Sequence, residues 1–95
     1  MPVKRCALSG KTIHSLDDLY DQLSKKLSFP DYFGRNLDAL WDVLATDVEG
    51  PFEIVWKDAG ASKKSMGRSF ARIVNLLKEL EAERDDFTFR VEEGS

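Results

Sequence analysis
The order of its apolar patterns most constrains what this chain can fold into: three short strand-like segments, separated by amphipathic helical stripes. Residues 3–8 read as a strand ended by Ser9-Gly10, and residues 52–56 as a second, with Phe52, Ile54 and Trp56 on one face. In residues 87–91, Phe87, Phe89 and Val91 alternate with Thr88 and Arg90, the pattern of a strand with one buried and one wet face. Between the first two strands, Ser15 reads as a helix N-cap, with Asp18 three residues on in a capping-box-like position. Leu16, Leu19, Tyr20, Leu23 and Leu27 follow as one helical stripe. Pro30 lies beyond that helix, and Gly34 permits a sharp turn with positive φ. Asn36 is the next N-cap, followed by the stripe Leu37, Leu40, Trp41 and Leu44. After the second strand, residues 57–67 read as a short weak helix or a loop. From about Arg68 the stripe Phe70, Ile73, Val74, Leu77 and Leu80 predicts a longer helix, interrupted at Asp85-Asp86.

Helical crossovers join parallel neighbours and are right-handed; if sequential strands are adjacent, the sheet order is 1-2-3 and both crossovers lie on the same face. The expected fold is α/β: two layers, a three-stranded parallel sheet packed against three to four helices, with residues 1–95 as a single domain and Glu92 to Ser95 as a tail. A chain of 95 residues has room for one core and is too short for a second domain.

The net charge of −3 argues against nucleic acid and against an anionic membrane surface as partners. That small total hides an uneven distribution: residues 1–30 carry +2, 31–56 carry −5, 57–68 carry +3 and 69–95 carry −3. Cys6 is the single cysteine, which rules out an internal disulfide and a cysteine-based metal cluster. The first residues are not followed by the apolar stretch of a secretory leader, and no apolar run approaches a membrane span, so the expected location is the cytoplasm.

Signals for catalysis are weak. His14 is the single histidine and has no Ser or Cys paired with it by motif, and the glycines are too scattered for a phosphate loop. Neither a cofactor nor a metal is called for, and the chain does not read as an enzyme. The informative segment is Phe29 to Asp42. On a helix beginning at Leu37, Asp38 and Asp42 lie one turn apart on the flank of the apolar stripe. Like charges at that spacing repel by a few tenths of a kcal/mol, roughly; the helix dipole offsets this for Asp38 but not for Asp42. Spacing alone leaves three readings open: a solvated face, an acidic patch awaiting a cationic protein, or a pair for divalent metal or acid–base chemistry. Tyr32 and Phe33, in the turn between Pro30 and Gly34, either pack on the core or supply an interface aromatic.

The run Asp31-Tyr32-Phe33-Gly34-Arg35-Asn36-Leu37-Asp38-Ala39-Leu40-Trp41-Asp42 closely resembles the barstar family of ribonuclease inhibitors. The resemblance extends over nearly the whole chain, with residues 15–27, 52–56, 68–83 and 87–91 fitting the family's first helix, middle strand, last helix and last strand. It implies the same three-stranded parallel sheet. It also implies an intracellular inhibitor, or immunity protein, for a small secreted ribonuclease of the barnase type, whose active site is covered by the second helix and the loop before it. On that resemblance Asp42 enters the phosphate pocket, Asp38 pairs with an arginine beside it, and Tyr32 packs on the catalytic histidine. Gly34, Asn36 and Leu37 make loop contacts, Trp41 belongs to the same set, and Glu79 with Leu76 adds an outlying contact from the last helix. The free protein is expected to be a monomer.

The sequence departs from the family pattern at four places. Arg35 stands where the founding inhibitor has a glutamate, and Asp47 where it has a tryptophan; Val43 and Asp85 replace its two cysteines. Arg35 suggests a nuclease with a compensating acidic group. Two other readings remain: a barstar-like module for a different cationic protein, and a small metal-dependent hydrolase using Asp38 and Asp42.

Overall fold
The computed structural model describes residues 3–93. The sequence readings that fall on Met1, Pro2, Gly94 and Ser95 lie outside those residues. The element order is β1 (Lys4–Ser9), α1 (Leu16–Leu27), α2 (Leu37–Asp42), β2 (Phe52–Lys57), α3 (Ala59–Met66), α4 (Arg68–Glu83) and β3 (Phe87–Val91), with a π-helical turn at Val43–Asp47. The three strands form one parallel sheet in the order β1-β2-β3. Its register puts Cys6, Ile54 and Phe89 in one row and Leu8, Trp56 and Val91 in the next.

Both crossovers cover the same face, as right-handed connections between sequential neighbours require. Cys6, Leu8, Phe52, Ile54, Trp56, Phe87 and Phe89 are buried there against Leu19, Leu23, Leu40, Leu44, Ile73, Leu77 and Leu80 from the helices. On the opposite face Arg5, Lys57, Thr88 and Arg90 are exposed. Val55 is nonetheless buried on that side, at the centre of a shallow depression ringed by Arg5, Glu53, Lys57 and Arg90. Long charged side chains cover an apolar neighbour with their aliphatic stems, so this small sheet needs no second helical layer. The Cys6 thiol belongs to the core, where burial pushes its pKa up to about 11.

Three local readings are decided or changed by the structure. Residues 57–67, which the sequence leaves open between a short helix and a loop, contain the short helix α3, which its neighbours complete. The carbonyls of Glu92 and Glu93 accept from the amides of Ala59 and Gly60, so those two glutamates are docked rather than a loose tail. Ser62, fully buried, shares its single hydroxyl proton between the carbonyls of Ile13 (2.8 Å) and Gly10 (3.2 Å) and accepts from Trp56 Nε1 at 3.2 Å. Gly67, at φ 59° and ψ −124°, then breaks the chain between α3 and α4 in a conformation few other residues adopt.

The second change is at the end of α2. The stripe to Leu44 predicts a continuous helix, but regular α geometry stops at Asp42. The carbonyls that would carry it on are taken elsewhere. Thr46 Oγ1 donates to Asp42 O, Arg84 Nη1 donates to Leu44 O at 2.6 Å and Val48 O at 2.9 Å, and Val48 N closes a wider turn on Val43 O. The third concerns the stripe itself: Leu40 and Leu44 are buried, whereas Leu37 and Trp41 are half-buried at its open edge.

Candidate partner-binding face
The loop before α2 is built by splitting its two aromatics. Phe33 turns inward and meets Phe29 and Tyr20 edge-on, at centroid distances of 5.0 and 5.5 Å. Tyr32 turns outward and is 76% exposed, a large apolar surface left in water. Its hydroxyl donates to Asp47 Oδ2 at 3.0 Å, which ties the loop to the π-helical turn. That hydrogen bond, together with the negative charge of Asp47, raises the Tyr32 pKa above its ordinary value.

Gly34 and Arg35 exchange the roles expected of them. The residue in the left-handed region is Arg35, at φ 52°, and not Gly34. Gly34 sits in a close approach instead: a Cβ there would lie 3.3 Å from the Ala39 Cβ and 3.4 Å from Asn36 Nδ2, so those side chains would have to give by a few tenths of an ångström. Arg35 is held in place by α1. Its Nη1 meets Asp21 Oδ1 at 2.9 Å, its Nη2 meets Asp17 Oδ1 at 3.4 Å, and its guanidinium lies 5.7 Å from the centre of the Tyr20 ring. The acidic groups that compensate Arg35 are therefore in this chain. Arg35 fastens the loop to α1 instead of presenting a free cation.

Asn36 caps α2 as its position predicts. Its Oδ1 accepts from Ala39 N at 2.7 Å, and its Nδ2 donates to Gly34 O at 3.3 Å. Capping by Asn at this position fixes the direction of a helix only six residues long. The exposed carboxylates on that helix are Asp38 and Asp42, and among the described residues neither makes an ion pair. No group of three or more His, Cys, Asp or Glu side chains converges there or elsewhere among the described residues.

The outlying residues come together across a groove of about 420 Å³ between α2 and α4. Leu37, Asp38 and Trp41 form one wall; Leu76 and Glu79 stand on the other. Of the nine residues singled out in the sequence, these five share the groove. Tyr32, Gly34, Asn36 and Asp42 lie in the adjoining loop and along α2. Sequence reasoning missed three residues of consequence. Arg72 and Asn75 complete the α4 wall, and their signal was available: Arg72, Asn75, Leu76 and Glu79 fall at i, i+3, i+4 and i+7 on one flank. Arg84, which takes the carbonyls at the end of the π-helical turn and lies 4.9 Å from the centre of the Phe52 ring, had no such signal.

His14 lines a second hollow that reaches Arg35, Asn36 and Leu37. It is exposed beside α3, with Nδ1 3.3 Å from Ser65 Oγ. Among the described residues no helix is long and apolar enough to cross a membrane.

The family profile described as "Barstar (barnase inhibitor)" matches residues 3–93. A Bacillus subtilis (strain 168) protein named "Putative ribonuclease inhibitor YrdF" is 34% identical over 91 residues, covering 95% of this chain and 100% of that protein.

Proposed function
The chain belongs to the barstar family, and from that premise we propose that it is a protein inhibitor of a barnase-like ribonuclease, acting inside the cell that makes the nuclease. The observation that carries this reading is the pair of exposed, unpaired carboxylates, Asp38 and Asp42, on a helix whose start is fixed by Asn36. A ribonuclease site is built to hold phosphates and is therefore cationic. Carboxylates on a rigid helix occupy such a site as phosphate mimics. Opposite fields also steer the two proteins together, faster at low salt. No bond is made or broken: inhibition is occlusion, and the inhibitor is not an enzyme.

In this reading Asp42 sits deepest in the phosphate pocket and Asp38 pairs with a cation beside it. Tyr32 packs on the nuclease with its hydroxyl already oriented by Asp47. Gly34, Asn36, Leu37 and Trp41 shape the contact around them, and Leu76 with Glu79 extends it onto α4.

The test is inhibition of RNA cleavage by barnase and a panel of nucleases of its type, with the dissociation constant measured for each. The expected result is stoichiometric inhibition by at least one of them and a loss of about 2–5 kcal/mol of binding for Asp42→Ala, because the cations it faces are left buried and unpaired. Absence of binding to every nuclease in the panel, with capture of some other cationic protein instead, overturns the ribonuclease reading in favour of a binding module with a different target.

A further inference from the structure
The groove between α2 and α4 carries a charge that an all-acidic phosphate mimic does not need. We infer that it is a second recognition subsite, in which Arg72 receives a carboxylate of the ribonuclease while the apolar residues of the walls take a side chain next to it. The inference rests on the ribonuclease-binding reading above and specifies which nucleases that reading admits.

Three observations converge on Arg72. First, Arg72 is exposed on the flank of α4 that faces α2, next to the half-buried Leu76. Second, it has no carboxylate within ion-pair distance among the described residues, although Asp38 and Glu79 line the same groove. Arg5, Arg35 and Arg84 are each paired within the chain; Arg68 and Arg90 are unpaired as well among the described residues, but neither lines this groove. Third, the groove is continuous with the acidic face, since Leu37, Asp38 and Trp41 belong to both.

Charge and shape then select the occupant. Arg72 and Glu79 are seven residues apart on one helix flank, about 10 Å of axial rise. The wall is thus positive toward one end and negative toward the other, with Leu76 between them. The apolar residues of the two walls, Leu37, Trp41 and Leu76, are half-buried. A wholly basic surface is repelled at the Arg72 end. A surface that is basic over Glu79 but acidic about two turns away along α4, opposite Arg72, fits both ends of that wall. The planar guanidinium favours a carboxylate, which it binds through two parallel hydrogen bonds. Apolar contact beside the pair excludes water and strengthens it. Arg72 accordingly works as a discriminator, rejecting nucleases that place a lysine or arginine opposite it.

The experiment uses the intact protein and the nuclease identified by the inhibition panel. Wild type, Arg72→Gln and Arg72→Glu are compared by dissociation constant and dissociation rate, with unfolding curves to confirm that all three fold. The expected result is at least about tenfold weaker binding for Arg72→Glu, mostly as faster dissociation, and a smaller loss for Arg72→Gln. Changing the nuclease's Asp and Glu residues one at a time to Lys is expected to yield one variant that binds Arg72→Glu better than wild type. If wild type binds and both Arg72 variants match it, or if no nuclease variant restores binding to Arg72→Glu, this inference falls and the inhibitor reading stands. If wild type binds no nuclease, both fall.

Discussion
Arg84 is the residue whose removal most directly tests how the acidic helix is held. Its guanidinium donates to Leu44 O and Val48 O through Nη1, and to both oxygens of Asp86 through Nε and Nη2 at 2.8 and 2.7 Å. The Asp86 end is open to water, so its ion pair adds little at neutral pH. The other end is sheltered: the Arg84 side chain is 15% exposed, and Leu44 and Val48 are buried. Two hydrogen bonds from a charged donor contribute about 1.5–3 kcal/mol each. Contact with the Phe52 ring adds about 0.5–1 kcal/mol. Water entering the vacated space recovers part of this, which leaves about 3 kcal/mol for Arg84→Ala. In a domain of this size that lowers Tm by about 12–24 °C. Arg84→Met retains the contact with Phe52 and removes only the hydrogen bonds, so it should lose slightly less. Urea unfolding followed by tryptophan fluorescence gives the energy, and hydrogen exchange at the Val48 amide reports the π-helical turn locally. A loss below about 1 kcal/mol, the scale of an exposed ion pair, with Val48 still protected, refutes the argument that Arg84 sets the end of the helix.

Three further outcomes are expected. The Arg84 guanidinium holds the Asp86 carboxyl below its ordinary pKa, so its stabilising effect is complete above the unfolded-state value and is lost as pH falls through the lower folded-state one. A small difference in urea midpoint between wild type and Asp86→Asn, on the scale of an exposed ion pair, should therefore be present at neutral pH and vanish in strong acid. Ser62→Ala leaves Trp56 Nε1 and the Gly10 and Ile13 carbonyls short of partners, and should cost about 1–3 kcal/mol in equilibrium unfolding. Tyr32 should titrate above free tyrosine and move back toward it in Asp47→Asn; NMR of the ring carbons follows this residue apart from Tyr20, whose own pKa is raised chiefly by burial.

Much of this protein is legible without coordinates. Strand alternation and helical stripes report which side of each element meets the core, because burial follows the period of the backbone. That is why β1, β2 and β3, the caps Ser15 and Asn36, and the order 1-2-3 follow from sequence. Asp38 and Asp42 are legible as outward-facing for the same reason. What periodicity does not encode is which distant group completes a local structure. The amides that start α3 are satisfied by Glu92 and Glu93, and its buried hydroxyl by Gly10 and Ile13, so a segment with weak intrinsic preference becomes an ordered helix. The end of α2 is decided by Arg84, forty residues from Leu44. Arg35 is a free cation in sequence and a clamp in the fold, because Asp17 and Asp21 come from a helix that is adjacent only once the chain has closed on itself. Arg72 reverses that outcome: one turn from Leu76 on α4, it lines the groove that α2 closes together with Asp38 and Glu79, yet among the described residues it forms an ion pair with neither. Sequence determines the faces of each element, since those depend on local geometry; tertiary structure decides which charges are already satisfied and which are left for a partner, since pairing depends on distance through space.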